Sequence, residues 1–324
     1  MNGKRVTLSD IAKAVGVSVN TVSHALNDKS DISEETKKLI KETADRMGYI
    51  RNSSASFMRS GRSKCISVIV GDISNPHFAI VIKEIERVAR ESGYSVFVLN
   101  TNEDESLEKD AIVTSLSNNV DGIILCPVQK TGDNVRYLIN SGIPFTLMGR
   151  HFEGIDTNYV VCDDRHGGYL AAEHLINKGH RRIAVFNAPL HISSAVERLD
   201  GIRQVCDEKG IALTDDDIYT VSVTNGDHSD IISNAMKTGN DYTGAICFSD
   251  IIALEFLSLA GNRNIDVISF DDIRSKFVMP VAFASITSLK TKMGHRAFEI
   301  LMDSINNPNG EKQHIVLRTK IVER

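Results

Sequence analysis

The sequence predicts two dissimilar parts: a small all-α unit at the N-terminus and a larger α/β body of two doubly wound parallel-sheet subdomains. Three observations predict this. Residues 6–26 hold two short amphipathic helical patterns separated by a glycine, the layout of a helix-turn-helix. From about Lys64 onward, short apolar runs alternate with helical patterns, which implies parallel sheets covered on both faces. The charge also divides along the chain. Residues 1–62 carry 11 Lys/Arg and 7 Asp/Glu, a net of +4; the whole chain, with 37 and 42, is −5, which leaves −9 for the remainder. A basic head on an acidic body suits a phosphate-binding unit attached to a body that stays off DNA.

In the head, Thr7 is a candidate N-cap and Asp10 can return its hydrogen bond, a short-armed capping box. Leu8, Ile11, Ala12 and Val15 share one face, and Gly16 permits the left-handed residue that ends the helix. Ser18 is the next cap, opening a helix from Val19 to Leu26 whose inward face is Val22, Ala25 and Leu26. Its outward residues, Val19, Asn20, Ser23 and His24, are small and polar, unlike a salt-bridged structural surface. A third helix is expected from Ser33 to Met47, with Glu34 and Glu35 favourable to its dipole and Ile40, Ala44 and Met47 as its buried stripe.

The body reads as nine strands: CISVIV, YSVFVLN, DGIILC, PFTLMG, YVVCD, RRIAVFN, YTVSV, GAICFS and IDVISF. Helices are expected near 77–92, 105–118, 132–141, 165–178, 194–209, 228–238 and 250–259. Nine strands exceed a comfortable single sheet, so two subdomains are expected. Open parallel sheets bind ligands beyond the carboxyl ends of their strands. Asp72, Ser74 and Asn75, Gly149 and Arg150, Asp250, and Asp271 are therefore site candidates. Carboxylates and a guanidinium fork suit vicinal hydroxyls, which need acceptors and donors in fixed directions. Aspartates after strands also serve as helix caps, an equal reading for Asp72 and Asp250. Phe78 and Phe152 can offer a face to a sugar ring or simply pack; His77, His151 and His191 can line a cleft or lie on the surface.

The head, the run SEETKKLIKETADRMGY and the stretch RNSSASFMRSGRSKCISVIVGDISNPHF resemble the LacI/GalR family of transcriptional regulators. The resemblance continues through VDGIIL, GGYLAAEHLINKGHRRIAV, ERLDGIR and VISFDDI, in the family's order and nearly its spacing. It implies a helix-turn-helix DNA-binding domain at 1–50, a hinge helix and linker at 51–63, and an effector-binding and dimerisation domain at 64–324 with a periplasmic-binding-protein-like fold. Within that domain the division is expected at 64–161 with 289–313 for one subdomain and 162–288 with 314–324 for the other. DNA contacts are implied for Thr7, Ser18, Val19, Asn20, Thr21, Ser23, His24, Asn27 and Tyr49, and for Asn52, Ala55 and Met58 of the hinge, where Met58 takes the minor-groove wedge position. An effector contact is implied for Arg198, in the ERLDG context, which joins Asp72, Asn75, Phe78, Arg150, Asp250 and Asp271 as the expected effector-binding residues. Three departures from the family stand out. His24 replaces a common arginine, so the bidentate guanine contact is missing. Arg51 replaces a proline before the hinge asparagine. The span from Asp250 to Asp271 is about half a dozen residues short, with Ser249-Asp250 in place of an Asn-Asp pair.

The expected function is a repressor whose operator affinity responds to a small effector, most simply a sugar or sugar derivative, in a cytoplasmic homodimer with no membrane role. Two alternatives stay open: a small-molecule-binding protein without a regulatory role, and a purine- or nucleoside-responsive regulator. The absence of Trp disfavours a stacked purine. No nucleophile elbow, P-loop, dinucleotide fingerprint or zinc-protease motif supports catalysis. The five scattered cysteines predict neither a metal site nor a disulfide framework, and no cofactor is expected. The N-terminus shows no signal-like apolar stretch, and the C-terminus, ending at IVER, shows no heptads that would make tetramers.

Overall fold

The computed structural model describes residues 6–49, 61–224, 228–237, 241–261, 263–273 and 283–323. The chain divides into two compact units, Met1–Ser63 and Lys64–Arg324. The hinge positions Asn52, Ala55 and Met58, with Arg51, lie outside the described residues.

The first unit contains α1 (Leu8–Val15), α2 (Val19–Leu26) and α3 (Glu34–Arg46). Local sequence sets each boundary. Thr7 and Asp10 form a reciprocal capping box, Gly16 ends α1 at φ 77°, and Ser18 and Ser33 cap α2 and α3. The helices meet through Ile11, Ala12, Val22, Ala25, Ile40 and Ala44, all nearly solvent-free. Burial of these side chains, more than helix propensity, holds such short helices in place.

The second unit contains two six-stranded sheets. The first is built from β1 (Cys65–Val70), β2 (Ser95–Asn100), β3 (Gly122–Leu125), β4 (Phe145–Met148) and β5 (Tyr159–Cys162), with β11 (His314–Leu317) joining late. The second holds β6 (Ile183–Asn187), β7 (Ile218–Thr220), β8 (Gly244–Cys247), β9 (Asp266–Asp271), β10 (Ala284–Thr287) and β12 (Ile321–Val322). Their orders are β11-β5-β4-β3-β1-β2 and β12-β10-β9-β8-β6-β7. All pairs are parallel except β10 with β12. The helices are α4 (Pro76–Glu91), α5 (Glu105–Ser117), α6 (Asp133–Ser141), α7 (Asp164–Asn177), α8 (Ser193–Glu208), α9 (Ser229–Ala235), α10 (Asp250–Ala260) and α11 (Lys290–Asn306). Helices on both faces are what wholly apolar strands such as Gly122–Leu125 require.

The sheets correct the expected division of the body. His314–Leu317 pairs with Tyr159–Cys162, because β5 would otherwise be an open edge. Residues 314–317 and Cys162 therefore belong with the first subdomain, and only Ile321–Val322 returns to the second. Chain crossings follow β5, β10 and β11.

Two helices of the second subdomain pack backbone to backbone. A Cβ on Gly168 of α7 would come within 2.0 Å of the Arg198 carbonyl oxygen, and one on Gly201 of α8 within 1.9 Å of that of Arg165. The two glycines that open α7 in the sequence thus serve helix contact, at least at Gly168.

Candidate functional site

Two places gather the candidate residues, one in each unit. In the head, α2 presents Val19, 46% exposed, together with Asn20 and His24. Thr7 and Ser18 are exposed but use their hydroxyls as caps, and Thr21 shares a hydrogen bond with Ser18 at 2.8 Å. Ser23 departs from the outward face expected for it. It is only 9% exposed, and the Asn27 side chain turns back along the helix to donate to its carbonyl at 2.6 Å. Tyr49 follows α3 and packs partly on the head's core. His24 has a partner that sequence reading did not find: its Nδ1 lies 2.6 Å from Asp31 Oδ2.

In the body, a cavity of about 150 Å³ lies at the carboxyl ends of both sheets. Asp72, Asn75, Phe78, Arg150, Arg198 and Asp271 all line it, as do Ser74 and Gly149. Asp72 and Asn75 stand in the loop after β1. Asp72 Oδ1 accepts from Ser74 N and Oγ at 2.8 and 2.7 Å, and Asn75 caps α4 through its Oδ1. The capping reading of such residues is thus met at one oxygen, and the other atoms stay available to the cavity.

Arg198, on α8, is 8% exposed and held on three sides. Its Nε donates to Asp164 Oδ1 at 2.7 Å and its Nη1 to the Phe248 carbonyl at 2.7 Å. The guanidinium lies over the rings of Phe248 and Phe270, 4.4 and 4.0 Å from their centroids. This fixes the fork and leaves the Nη2 hydrogens for a ligand. Arg150 is arranged differently: both terminal nitrogens meet Glu103, at 2.7 and 2.8 Å, and Nη1 also meets the Pro127 carbonyl at 2.8 Å. A bidentate pair of this kind consumes most of its donors.

Asp271 ends β9 with φ 95°, a costly conformation for a residue with a side chain. Lys290 Nζ bonds its carbonyl, and Ser288 Oγ donates to the same atom at 3.3 Å, which holds the bend. Its carboxylate meets His77 Nδ1 at 3.2 Å. Burial pushes the Asp271 carboxyl up, but His77, then Arg198 and Lys290, bring it below the ordinary aspartate value.

Asp250 is corrected. It is wholly buried and does not line the cavity. Ser269 and Ser285 hydroxyls and the Ile273 amide donate to it, the latter two at 2.7 Å. Burial, then repulsion from Asp271, pushes its carboxyl up to about 6. In the short span α10 reaches Ala260 and β9 begins at Asp266. Phe152 packs with the first subdomain's core, and His151 and His191 stay off the cavity wall. Sequence reading missed Glu103, Asp164, Phe248 and Glu255, whose places depend on distant partners.

A few polar contacts tie the two subdomains together beside the cavity. Ser193 N donates to Gln129 Oε1 at 3.0 Å, and Gln129 is itself held within the first subdomain by donating from Nε2 to the His151 carbonyl at 2.6 Å. The His151 amide donates to Ser193 Oγ at 3.2 Å. His151 Nδ1 also lies 3.6 Å from Glu197.

Residues 63–321 match the family described as periplasmic binding proteins and sugar binding domain of LacI family, and residues 7–52 match bacterial regulatory proteins, lacI family. Among relatives, the HTH-type transcriptional repressor PurR of Pasteurella multocida (strain Pm70) is 27% identical, covering 98% of this chain and 97% of that one. PurR of Aliivibrio salmonicida (strain LFI1238) is 25% identical over 98% of both. Among solved structures, the lac repressor dimer bound to operator and the anti-inducer ONPF superposes with a TM-score of 0.85 at 22% identity, over 99% of this chain and 98% of that one. A transcriptional regulator CelR–cellobiose complex gives 0.73 at 23% identity over 99% of both.

Proposed function

Because the chain belongs to the LacI family of bacterial regulators, we propose that it is a transcriptional repressor that binds operator DNA as a homodimer and releases or tightens according to an uncharged, polyhydroxylated effector. One observation carries the effector part of this reading. The cavity joins fixed donors and fixed acceptors: the Arg198 fork, seated over two aromatic rings, faces a wall that includes Asp72 and Asp271. Hydroxyl groups that both donate and accept satisfy such a wall; an anion does not. Five carboxylates (Asp72, Glu103, Asp164, Glu255, Asp271) outnumber two guanidinium groups (Arg150, Arg198) around the cavity, which argues against a sugar phosphate. The side chains read as a binding wall and not a catalytic one, since Glu103 and Asp164 are already spent on arginines.

In this reading Thr7, Ser18, Val19, Asn20, Thr21, His24, Asn27 and Tyr49 approach DNA, and Asp72, Asn75, Phe78 and Arg198 with Asp271 hold the effector. The Gln129–Ser193–His151 contacts supply the two-state element. Each such hydrogen bond contributes about 1 kcal/mol net, so a ligand that prefers one arrangement of the subdomains by a few kcal/mol redistributes the population.

A purine-class effector is the second reading, favoured by Phe78, His77 and Phe248 on the cavity wall and by relatives named PurR. One experiment separates the readings. Thermal-shift screening of the whole protein against neutral sugars, sugar phosphates and purines identifies the class by mass-action stabilisation. Anisotropy with DNA selected by the protein then follows, with and without the hit. A ligand that stabilises the protein and leaves DNA affinity unchanged would sink the switch.

A further inference from the structure

We infer that Asp31 is a positioning residue for DNA readout: it fixes the His24 ring so that Nε2, acting as a hydrogen-bond acceptor, is the atom that α2 offers to base edges. The inference rests on the DNA-binding reading of the head and adds the chemistry of one contact to it.

The geometry is local and built. His24 Nδ1 lies 2.6 Å from Asp31 Oδ2. A carboxylate accepts and cannot donate, so Nδ1 carries the hydrogen and the lone pair of the neutral ring sits on Nε2. Asp31 stays a carboxylate, since the hydrogen bond from His24 holds it below the ordinary aspartate value even against burial. The loop that carries Asp31 is tied down at several points. Lys29 N donates to the His24 carbonyl at 3.1 Å, Lys41 Nζ meets Asp28 Oδ1 at 2.5 Å, and the neighbouring Ile32 packs on the head's core. The charged groups around the pair are Lys29, beside Asp31, and the Asp28–Lys41 pair. The His24 side chain is 39% exposed, and Nε2 has no partner among the described residues.

The consequence is a reversed code. An arginine donates to guanine O6 and N7; an acceptor nitrogen needs an amino group, cytosine N4 or adenine N6. A neutral histidine without Asp31 would exchange tautomers and read either edge. With Asp31 it reads one.

The test uses the full-length protein at about pH 8, above the ordinary range of histidine titration. Selection from random duplexes gives the operator, and the position whose preference vanishes in His24→Ala locates the contact. At that position one set of operators loses the amino group (purine for adenine, 2-pyrimidinone for cytosine). A second set loses the acceptor N7 (7-deazapurine). The expected result is a loss of about fivefold or more on removing the amino group and none on removing N7. Asp31→Ala should flatten the first penalty, and Asp31→Asn, whose amide oxygen still accepts, should keep part of it. A penalty for 7-deazapurine, or an amino penalty unchanged in Asp31→Ala, overturns the inference while DNA binding stands. Failure of the wild-type protein to enrich any duplex overturns the DNA-binding reading instead.

Discussion

Replacing Glu197 with glutamine should make the protein more stable at pH 8 and leave it unchanged near pH 4.5. Glu197 lies on α8 beside the cavity, where burial, then the nearby Asp164 charge, pushes its carboxyl up to about 7. The facing His151, 3.6 Å away, is pushed below its ordinary value by burial, so at neutral pH the contact is closer to two neutral groups than to an ion pair. Arg198 pulls Glu197 down, while Asp163 and Glu153 add to the upward push. A folded-state value above the unfolded one, about 4.3 for glutamate, means that the native protein holds a proton which the unfolded chain has released. The stabilisation is full below that lower value and is lost as pH rises through about 7. Each unit between the two is worth about 1.4 kcal/mol, a ceiling near 4 kcal/mol. The side chain is 30% exposed, so solvent brings the expectation to about 1–2 kcal/mol. At about 2–4 °C per kcal/mol for a unit of this size, the variant should melt roughly 2–8 °C higher at pH 8. Thermal unfolding of both proteins across a pH series reads this directly. A Tm difference independent of pH, or its absence at pH 8, would refute the reasoning.

Three further outcomes are expected. Gly168→Ala drives a methyl group into the Arg198 carbonyl, so it should cost about 3 kcal/mol or more in calorimetric stability and weaken effector binding by displacing α8. Arg198→Met should abolish effector-induced thermal stabilisation and, by leaving Asp164 buried without its partner, lower stability by about 3–5 kcal/mol; adding Asp164→Asn should restore stability and not ligand binding. Gln129→Ala removes the side-chain oxygen that Ser193 reaches from the other subdomain. It should weaken the contact between the subdomains by about 1–2 kcal/mol, seen as a larger radius of gyration by small-angle scattering with the fold unchanged.

The parts of the molecule that were legible in sequence are those fixed by near neighbours. Thr7, Asp10, Gly16, Ser18 and Ser33 mark the ends of helices because caps act over three or four residues. The nine expected strands of the body exist for the same kind of reason, each being a short run rich in apolar residues, although the seventh is Ile218–Thr220 and stops short of the expected YTVSV run at 219–223. What escaped depends on distant partners. Asp250 looked like a cavity residue until Ser269 and Ser285, 19 and 35 residues away, turned its carboxylate inward. Ala284–Thr287, His314–Leu317 and Ile321–Val322 escape for the same reason, since each is placed by the strand it pairs with. α11 escapes with them. At Gly168 the sequence shows a glycine near a helix start, but only the packed α8 explains it. His24 was visible as unusual, whereas Asp31, across a loop, was not.

The path of the chain through the body has a consequence for its synthesis. The first sheet cannot be finished when its first five strands have emerged, because its sixth, His314–Leu317, comes after the whole second sheet but one strand. α11, which contributes Met293, Ala297, Phe298 and Leu301 to the first subdomain's core, is also late. Neither subdomain is a contiguous stretch of polypeptide, so neither can mature on the ribosome ahead of the other. Contacts of such long sequence separation slow folding and prolong the exposure of apolar surface. The N-terminal head, built only from neighbouring helices, escapes this delay. A DNA-reading unit that is complete long before the body that governs it implies a period in which the nascent protein has its reader and not yet its control.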